Sequence, residues 1–245
     1  MSHTTLTRET IRAIDAYWAA SFGCPVEGLR PSRTLVVPHD AHERFHGAYA
    51  MAFGAEPIVS VPPGELSELR AALSQWTATT LMAPSTARES LGDRVSDVIG
   101  PAWVGYADER TFRTSMVDAR ARVLDHSDAD AVNALRDACT ELEWEHGGSA
   151  LGPDPVAGSF ANGTLAALAG FETWGDRIAH IAVVAHPRFR AQGHARATVA
   201  LVARQALSRG LVLQYRTLES NTPSRRIADS LGFIHRATSL AVRFR

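Results

Sequence analysis

Three consecutive apolar runs, separated by tight turns, limit most strongly what this chain can fold into. They read VAGSFA, TLAALAGFETW and IAHIAVVA, and they lie between Val156 and Ala185. Asn162-Gly163 separates the first two runs, and this dipeptide favours a two-residue hairpin because both residues tolerate positive φ. Gly175 lies in the second turn, and Pro187 follows the third run. The pattern predicts three neighbouring antiparallel strands.

Helical and extended patterns alternate on both sides of these runs. An amphipathic pattern over 127–145 predicts one helix before them, and a strand precedes it at Ala121–Leu124. The segments after them predict a helix over Ala195–Ser208, a strand over 211–219, a short helix over 223–232 and a strand over 239–245. The order is β-α-β-β-β-α-β-α-β. Because parallel strands need a crossover, usually a helix, this order predicts an α/β fold: a mixed sheet flanked by helices on both faces.

The N-terminal part of the chain predicts further α/β structure. A helix is expected over 7–23, strands over 34–39 and 56–63, and helices over 64–77 and 85–100. Segment 39–46, HDAHERFH, is expected to be a polar loop that precedes the next helix. We therefore expect two domains, an N-terminal α/β domain over 1–115 and a second domain over 116–245.

Composition narrows the classes of partner and compartment. The net charge of −1 argues against general electrostatic binding of nucleic acid. No apolar run approaches the length of a membrane span, so no membrane partner is expected. Cys24 and Cys139 lie far apart, which argues against a disulfide framework and predicts a cytoplasmic protein. From Ile181 onward, the sequence contains 11 arginines and two acidic residues. This excess of positive charge suggests a polyanionic ligand.

The segment after Pro187 combines basic residues with a strand-to-helix turn. RFRAQGHA carries Arg188 and Arg190 before Gly193, and Arg196 follows in the first helical turn. The first N–H groups of a helix lack intrahelical acceptors, and the helix dipole favours negative charge at that end. A small residue such as Gly193 lets a ligand approach the backbone closely. The turn therefore predicts a diphosphate site.

Two motifs in this region resemble those of the GNAT superfamily of N-acetyltransferases. Arg190 to Ala195, RAQGHA, resembles the superfamily's R/Q-x-x-G-x-G/A signature, and ESNTPSRRIADSLGF resembles its Asn-led final helix ending in Leu-Gly-Phe. The resemblance covers about Arg120–Arg245. It implies acetyl-CoA as co-substrate, with the pantetheine arm along the third apolar run and the diphosphate in the signature loop. The residues implied in binding are Val183, Val184, Ala185, Arg188, Arg190, Ala191, Gln192, Gly193, His194, Ala195, Arg196, Asn221 and Ser224.

The catalytic residues depart from the pattern of the superfamily. Many members carry a tyrosine five residues before the final phenylalanine, where this chain has Ala228; a tyrosine ring should fit there. A glutamate that serves as base in some members falls on Ala179 or its neighbour His180, and histidine suits base chemistry near neutrality. Glu172 is the next candidate. The resemblance implies an N-acyltransferase, and the missing tyrosine leaves open an acyl-CoA-binding module without catalysis.

The acceptor is expected to be a small amine or a protein amine. The segment ELEWEH, 141–146, falls where superfamily members shape the acceptor pocket, and its glutamates would suit a cation. His39, His42 and His46 do not have a standard zinc spacing, so no metal is expected. A homodimer and a degenerate second copy of the fold in residues 1–115 are left open.

Overall fold

The computed structural model describes residues 5–39, 45–113 and 119–245. Its helices are α1 (Arg8–Ser21), α2 (Leu66–Leu73), α3 (Ala78–Met82), α4 (Pro84–Leu91), α5 (Ala129–Ala138), α6 (Glu141–Gly147), α7 (His194–Ser208) and α8 (Thr222–Leu231). Its strands are β1 (Leu35–Pro38), β2 (Gly47–Ala52), β3 (Ile58–Val61), β4 (Val95–Ala107), β5 (Ala121–Val123), β6 (Ala157–Ala161), β7 (Thr164–Trp174), β8 (Ile178–Ala185), β9 (Val212–Leu218) and β10 (Ile234–Phe244). Among the described residues, every helix is too short or too polar to cross a lipid bilayer.

The chain divides into two compact units, and each unit is built from several separate stretches of the sequence. The first unit comprises the stretch ending at Thr10, Tyr106–Tyr215 and Thr222–Ile234, and the second comprises Ile11–Gly105, Arg216–Asn221 and His235–Arg245. The two domains expected from the sequence, 1–115 and 116–245, differ from these units, because the last strand, β10, belongs to the second unit.

The first unit contains the predicted meander. Its strand order is β9-β8-β7-β6-β5, with antiparallel pairing from β5 to β8 and parallel pairing of β8 with β9. Asn162 and Gly163 have φ of 50° and 77°, as the hairpin prediction requires. Helix α7 packs on β6, β7 and β8. The core beside α5 is formed by Leu124, Val132, Leu135, Val156, Leu165, Leu168 and Val184.

In the second unit the strand order is β1-β3-β2-β10-β4. β1 is parallel to β3, whereas β2 is antiparallel to both β3 and β10. Its core holds side chains from these strands, from α2, α3 and α4 and from the connection between α2 and α3, including Val59, Leu73, Trp76, Leu81 and Leu240. The α/β class predicted for this part of the chain is confirmed.

Three element predictions are wrong. The helix expected over 85–100 ends at Leu91, where Gly92 takes φ +57°, and β4 follows from Val95. The single helix expected over 127–145 is split, because Cys139 and Thr140 are extended and the Thr140 side chain caps α6. The element after segment 39–46 is the strand β2, not a helix, and all six of its residues are buried.

Candidate functional site

A cavity of about 650 Å³ opens in the first unit beside β7 and β8. We call it the β7–β8 cavity. The strands contribute Gly170, Phe171, Glu172, Trp174, His180 and Ala182, and the remaining lining residues are Glu145, His146, Gly148, Ser149, Ala150, Leu151, Gly152, Pro153, Asp154 and Val156. A neighbouring cavity of about 300 Å³ lies against α5 and shares residues 148–151 with it; it is lined by Trp144 among others. Trp174 therefore lines the larger cavity and Trp144 the smaller one.

His180 lies half-buried at the wall of the β7–β8 cavity. Its ring stacks on Trp174, with the centroids 4.0 Å apart and the planes 16° apart. Its Nδ1 lies 2.8 Å from Oε1 of Gln214, the residue directly opposite it on β9. An amide oxygen can only accept, so Nδ1 carries the proton in this hydrogen bond, and Nε2 is the basic nitrogen of the neutral ring.

Carboxylates line the same cavity in different ways. Glu172 is the cross-strand partner of His180, is exposed, and accepts the Trp174 indole N–H at 3.1 Å. Glu145 is also exposed, whereas Asp154 pairs with Arg209 at 2.7 Å. The cavity therefore presents negative charge beside a histidine and an aromatic wall.

The other glutamates of segment 141–146 do not line this cavity. Glu143 pairs with Arg190 at 2.7 Å and belongs to the capping box of α6. The Thr140 backbone N–H, together with the Arg190 guanidinium, holds the pKa of the Glu143 carboxyl below its usual range. Glu141 is exposed at the start of α6. Asp176 is exposed in the β7–β8 turn and is not among the residues lining the cavity.

Along the first part of β8, side chains alternate between the cavity and the core. His180 and Ala182 line the cavity, and Ile181 on the opposite face is 3% exposed. Val184, on the His180 face, is instead part of the core with Leu135 and Leu168. The cavity therefore ends at Ala182, and Val184 does not line it.

The backbone of β8 is paired differently on its two edges. The His186 N–H donates to Ala166 O, so in an antiparallel ladder Val184 also bonds to β7, and Val183 and Ala185 direct their backbone groups to the other edge. The ladder with β9 runs only from Ile178/Val212 to Ile181/Tyr215. Val183 and Ala185 therefore lie past the end of that ladder, where the resemblance implies pantetheine binding.

The basic loop after β8 forms the predicted strand-to-helix turn. A short helical turn covers Pro187–Phe189, and Ala191 and Gly193 take φ of 62° and 88°. Helix α7 starts at His194, and its first backbone bond runs from the Ala197 N–H to Gly193 O. The N–H groups of Ala195 and Arg196 precede that bond, at the positive end of a 15-residue helix. This geometry suits an anion.

Several side chains of the loop are already engaged within the protein. Arg190 donates to Ala185 O at 3.3 Å and to Glu143 at 2.7 Å, and Gln192 donates to Arg188 O at 3.3 Å. His194 is 7% exposed and shares a 2.8 Å hydrogen bond with Ser159. These contacts fix the loop, so Arg190, Gln192 and His194 shape it, while the exposed Arg188 and half-buried Arg196 supply charge.

The end of β9 and helix α8 hold the other implied residues. The Ser224 hydroxyl lies 2.9 Å from the hydroxyl of Tyr215, whose burial raises its pKa to about 12. Ala228 is fully buried. Asn221 is exposed and belongs to the stretch of the second unit that follows β9; its N–H donates to Leu218 O.

The histidine-rich segment is only partly described. His42 lies outside the described residues. His39 is buried with its Nδ1 3.3 Å from Ser60 Oγ, and the exposed His46 pairs with Glu65. In the parts of the chain that are described, no group of three or more potential ligands is arranged to bind a metal.

Three residues of the site were not anticipated from the sequence. Gln214 and Tyr106 form a buried hydrogen-bonded line to His180, and the Arg120 guanidinium donates to Gln192 O at 3.1 Å beside Gly193. Gln214 is a polar residue within the apolar run LVLQY, just as His180 is within IAHIAV. A polar residue inside an apolar run is a sequence signal for a candidate site residue. Only the strand register shows that the two polar residues meet.

Part of the chain matches a known family model. Residues 122–233 match the family model described as the Acetyltransferase (GNAT) family, which leaves the N-terminal half unassigned. No match was found among curated proteins. Among solved structures, one from Novosphingobium aromaticivorans, assigned as a GNAT-family acetyltransferase, is 26% identical with a TM-score of 0.47. The match covers 61% of this chain and 66% of that one, so this chain spans about two thirds of its length.

Two further structures are similar at lower identity. A GNAT-family acetyltransferase from Colwellia psychrerythraea is 12% identical with a TM-score of 0.48, and the match covers 76% of this chain and 75% of that one. A Salmonella typhimurium protein, assigned as an acetyltransferase and solved with acetyl-CoA, is 17% identical with a TM-score of 0.40. That match covers 50% of this chain and 92% of the other.

Proposed function

Because residues 122–233 carry a domain of the GNAT acetyltransferase family, we propose that this chain transfers an acetyl group from acetyl-CoA to a cationic amine bound in the β7–β8 cavity. The observation that carries the proposal is that one strand, β8, leads from the cavity to the anion-favouring loop. His180 lies in the cavity wall and Ala185 lies just before the loop. Five residues of strand span about 16 Å, so β8 can support an extended pantetheine arm between the two ends.

The diphosphate of acetyl-CoA would lie at the start of α7. The N–H groups of Ala195 and Arg196 and the charge of Arg188 favour it there. Val183 and Ala185 would donate their backbone N–H groups on this edge to the pantetheine carbonyls, and a backbone N–H of this edge would polarise the thioester carbonyl. These backbone contacts do not depend on side-chain identity, which is consistent with the small apolar residues of β8.

The acceptor would enter as an ammonium ion beside Glu145 and Glu172. His180 Nε2 removes one proton, and the neutral nitrogen attacks the thioester carbonyl carbon. The tetrahedral intermediate loses the second proton of its nitrogen to solvent and collapses with cleavage of the C–S bond, so the acetyl group stays on nitrogen as a neutral amide and the thiolate of CoA leaves. The thiolate takes a proton from solvent, and the His180 imidazolium returns its proton to solvent. Holding both substrates in one site supplies much of the rate increase.

A panel of acceptors tests the proposal. Release of free CoA thiol from acetyl-CoA should accelerate with primary amines that carry positive charge, and less with uncharged amines or alcohols of matched size. Glu172→Gln should raise KM for the amine severalfold and leave KM for acetyl-CoA unchanged, since exposed ion pairs contribute up to about 1 kcal/mol. Glu141→Gln, on an exposed residue outside the cavity, is the matched control.

A second candidate function is an acyl-CoA-binding module without catalysis. The observation that favours it is Ala228 in place of the tyrosine expected from the superfamily. Tight binding of CoA by calorimetry, combined with no thiol release across the whole amine panel, would establish this alternative and reject the transferase.

A further inference from the structure

We infer that Gln214 is a positioning residue for the transfer reaction: it holds the proton of His180 on Nδ1 and so keeps Nε2 as the base. The inference rests on the proposed function only in that His180 is the base. Gln214 is fully buried in the middle of β9, and it does not line the β7–β8 cavity. It acts through His180 rather than on a substrate.

The geometry of the strands brings the two side chains together. β8 and β9 are parallel, and His180 and Gln214 are register partners, so their side chains stand side by side on one face of the sheet. The Nδ1–Oε1 distance is 2.8 Å, within the range of a good hydrogen bond. Because the ring nitrogen must donate to this oxygen, the neutral imidazole is the Nδ1–H tautomer.

The Tyr106 hydroxyl is the partner of the other end of the Gln214 amide. The Gln214 amide nitrogen donates to the Tyr106 hydroxyl at 2.7 Å, and Tyr106 is 0% exposed. A buried amide must satisfy both ends, since an unmet donor or acceptor in the interior costs about 1–3 kcal/mol. With the NH₂ group directed to Tyr106, only the oxygen remains for the histidine.

Trp174 fixes the plane of the same imidazole. Its ring stacks on His180 at 4.0 Å, and its own indole N–H donates to Glu172 at 3.1 Å. Stacking restrains the plane of the His180 ring. The hydrogen bond to Gln214 determines how the ring is rotated within that plane and which nitrogen carries the proton. Together they fix where the basic nitrogen lies, which is the purpose of supporting groups around a catalytic base.

Nitrogen-15 NMR of the imidazole tests the tautomer without any substrate. His180 signals, assigned by their loss in His180→Gln, should show a protonated Nδ1 and an unprotonated Nε2 in the neutral wild-type protein. Gln214→Leu should move the population toward the Nε2–H tautomer that free histidine prefers. Tyr106→Phe should move it in the same direction, since the freed amide can turn its NH₂ group toward Nδ1. A wild-type Nε2–H signal would overturn the inference.

The pH dependence of kcat/KM gives a second readout. Gln214→Glu keeps an acceptor for Nδ1 but adds a negative charge, which stabilises the imidazolium and raises the pKa of His180. Because only the neutral ring can accept the proton, activity should then appear at higher pH than in the wild type. Gln214→Leu should lower kcat/KM by roughly tenfold, less than the loss of the whole base.

The matched control is Ser60→Ala. It removes a buried hydroxyl 3.3 Å from Nδ1 of another histidine, His39, in the second unit. It should leave the His180 signals and the pH profile as in the wild type. An unshifted profile in Gln214→Glu would contradict the positioning role. Failure of His180→Ala to lower activity would instead reject the proposed base, while the NMR result would still decide the tautomer.

Discussion

At the scale of single residues, His180 is the side chain whose loss should affect turnover most. His180→Ala should lower kcat/KM on the order of 100-fold, the usual effect of removing a positioned base. Binding of acetyl-CoA should not change, because the groups proposed to hold its diphosphate lie at 188–196. Initial rates and calorimetry measure the two effects. His126→Ala, on an exposed histidine, is the control; an equal loss in both variants would contradict the assignment.

Ala228 provides a second prediction at this scale. The superfamily pattern predicts that a tyrosine ring fits this position, but Ala228 is 0% exposed on α8. We therefore expect Ala228→Tyr to destabilise the fold by about 1–3 kcal/mol through overpacking, and not to restore an acid. Thermal unfolding measures this. Arg226→Tyr, at an exposed position of the same helix, should change little; equal stability of the two variants would show that space for the ring exists.

At the scale of elements, the turn into α7 carries the clearest prediction. Gly193→Glu should weaken CoA binding by at least tenfold, because it places a carboxylate and a side chain where the diphosphate is proposed to lie. Gly210→Glu is a matched control, since Gly210 also has a positive φ, of 73°, and lies at the other end of α7. Calorimetry with CoA compares the two. Equal affinities would remove this turn from the cofactor site.

Elements defined by local signals were predictable, and those defined by tertiary contacts were not. The Asn162-Gly163 hairpin and α7 follow from dipeptide chemistry and spacing, and the structure has both. Strand β4 was missed because RVSDVIG continues the helical spacing of α4, and only pairing within a sheet favours extension there. The site divides in the same way: His180 was predictable from its own strand, whereas its partner Gln214 required the β8–β9 register.

At the scale of the whole molecule, the two units are interleaved along the sequence, and this determines which fragments can fold alone. A fragment of residues 116–245 contains β10 but lacks β2, so Thr238–Arg243 lose their antiparallel partners. Leu240, Val242 and Phe244 would lose the core in which they pack. We expect this fragment to aggregate or to unfold well below the full chain, as size-exclusion chromatography and circular dichroism would show. A monomer that unfolds cooperatively at the full-chain temperature would contradict this.

The early end of the β8–β9 ladder has a consequence for hydrogen exchange. The N–H groups of Val183 and Ala185 point to the edge where the ladder with β9 has already stopped at Tyr215. In deuterated solvent these two amides should exchange faster than those of Ala179 and Ile181 on the same edge, which lie inside the ladder. Addition of CoA should slow the exchange of Val183 and Ala185 and leave that of Ala179 and Ile181 unchanged. The exchange rates of single amides in β8 would thus report cofactor binding, whether or not an acceptor is known.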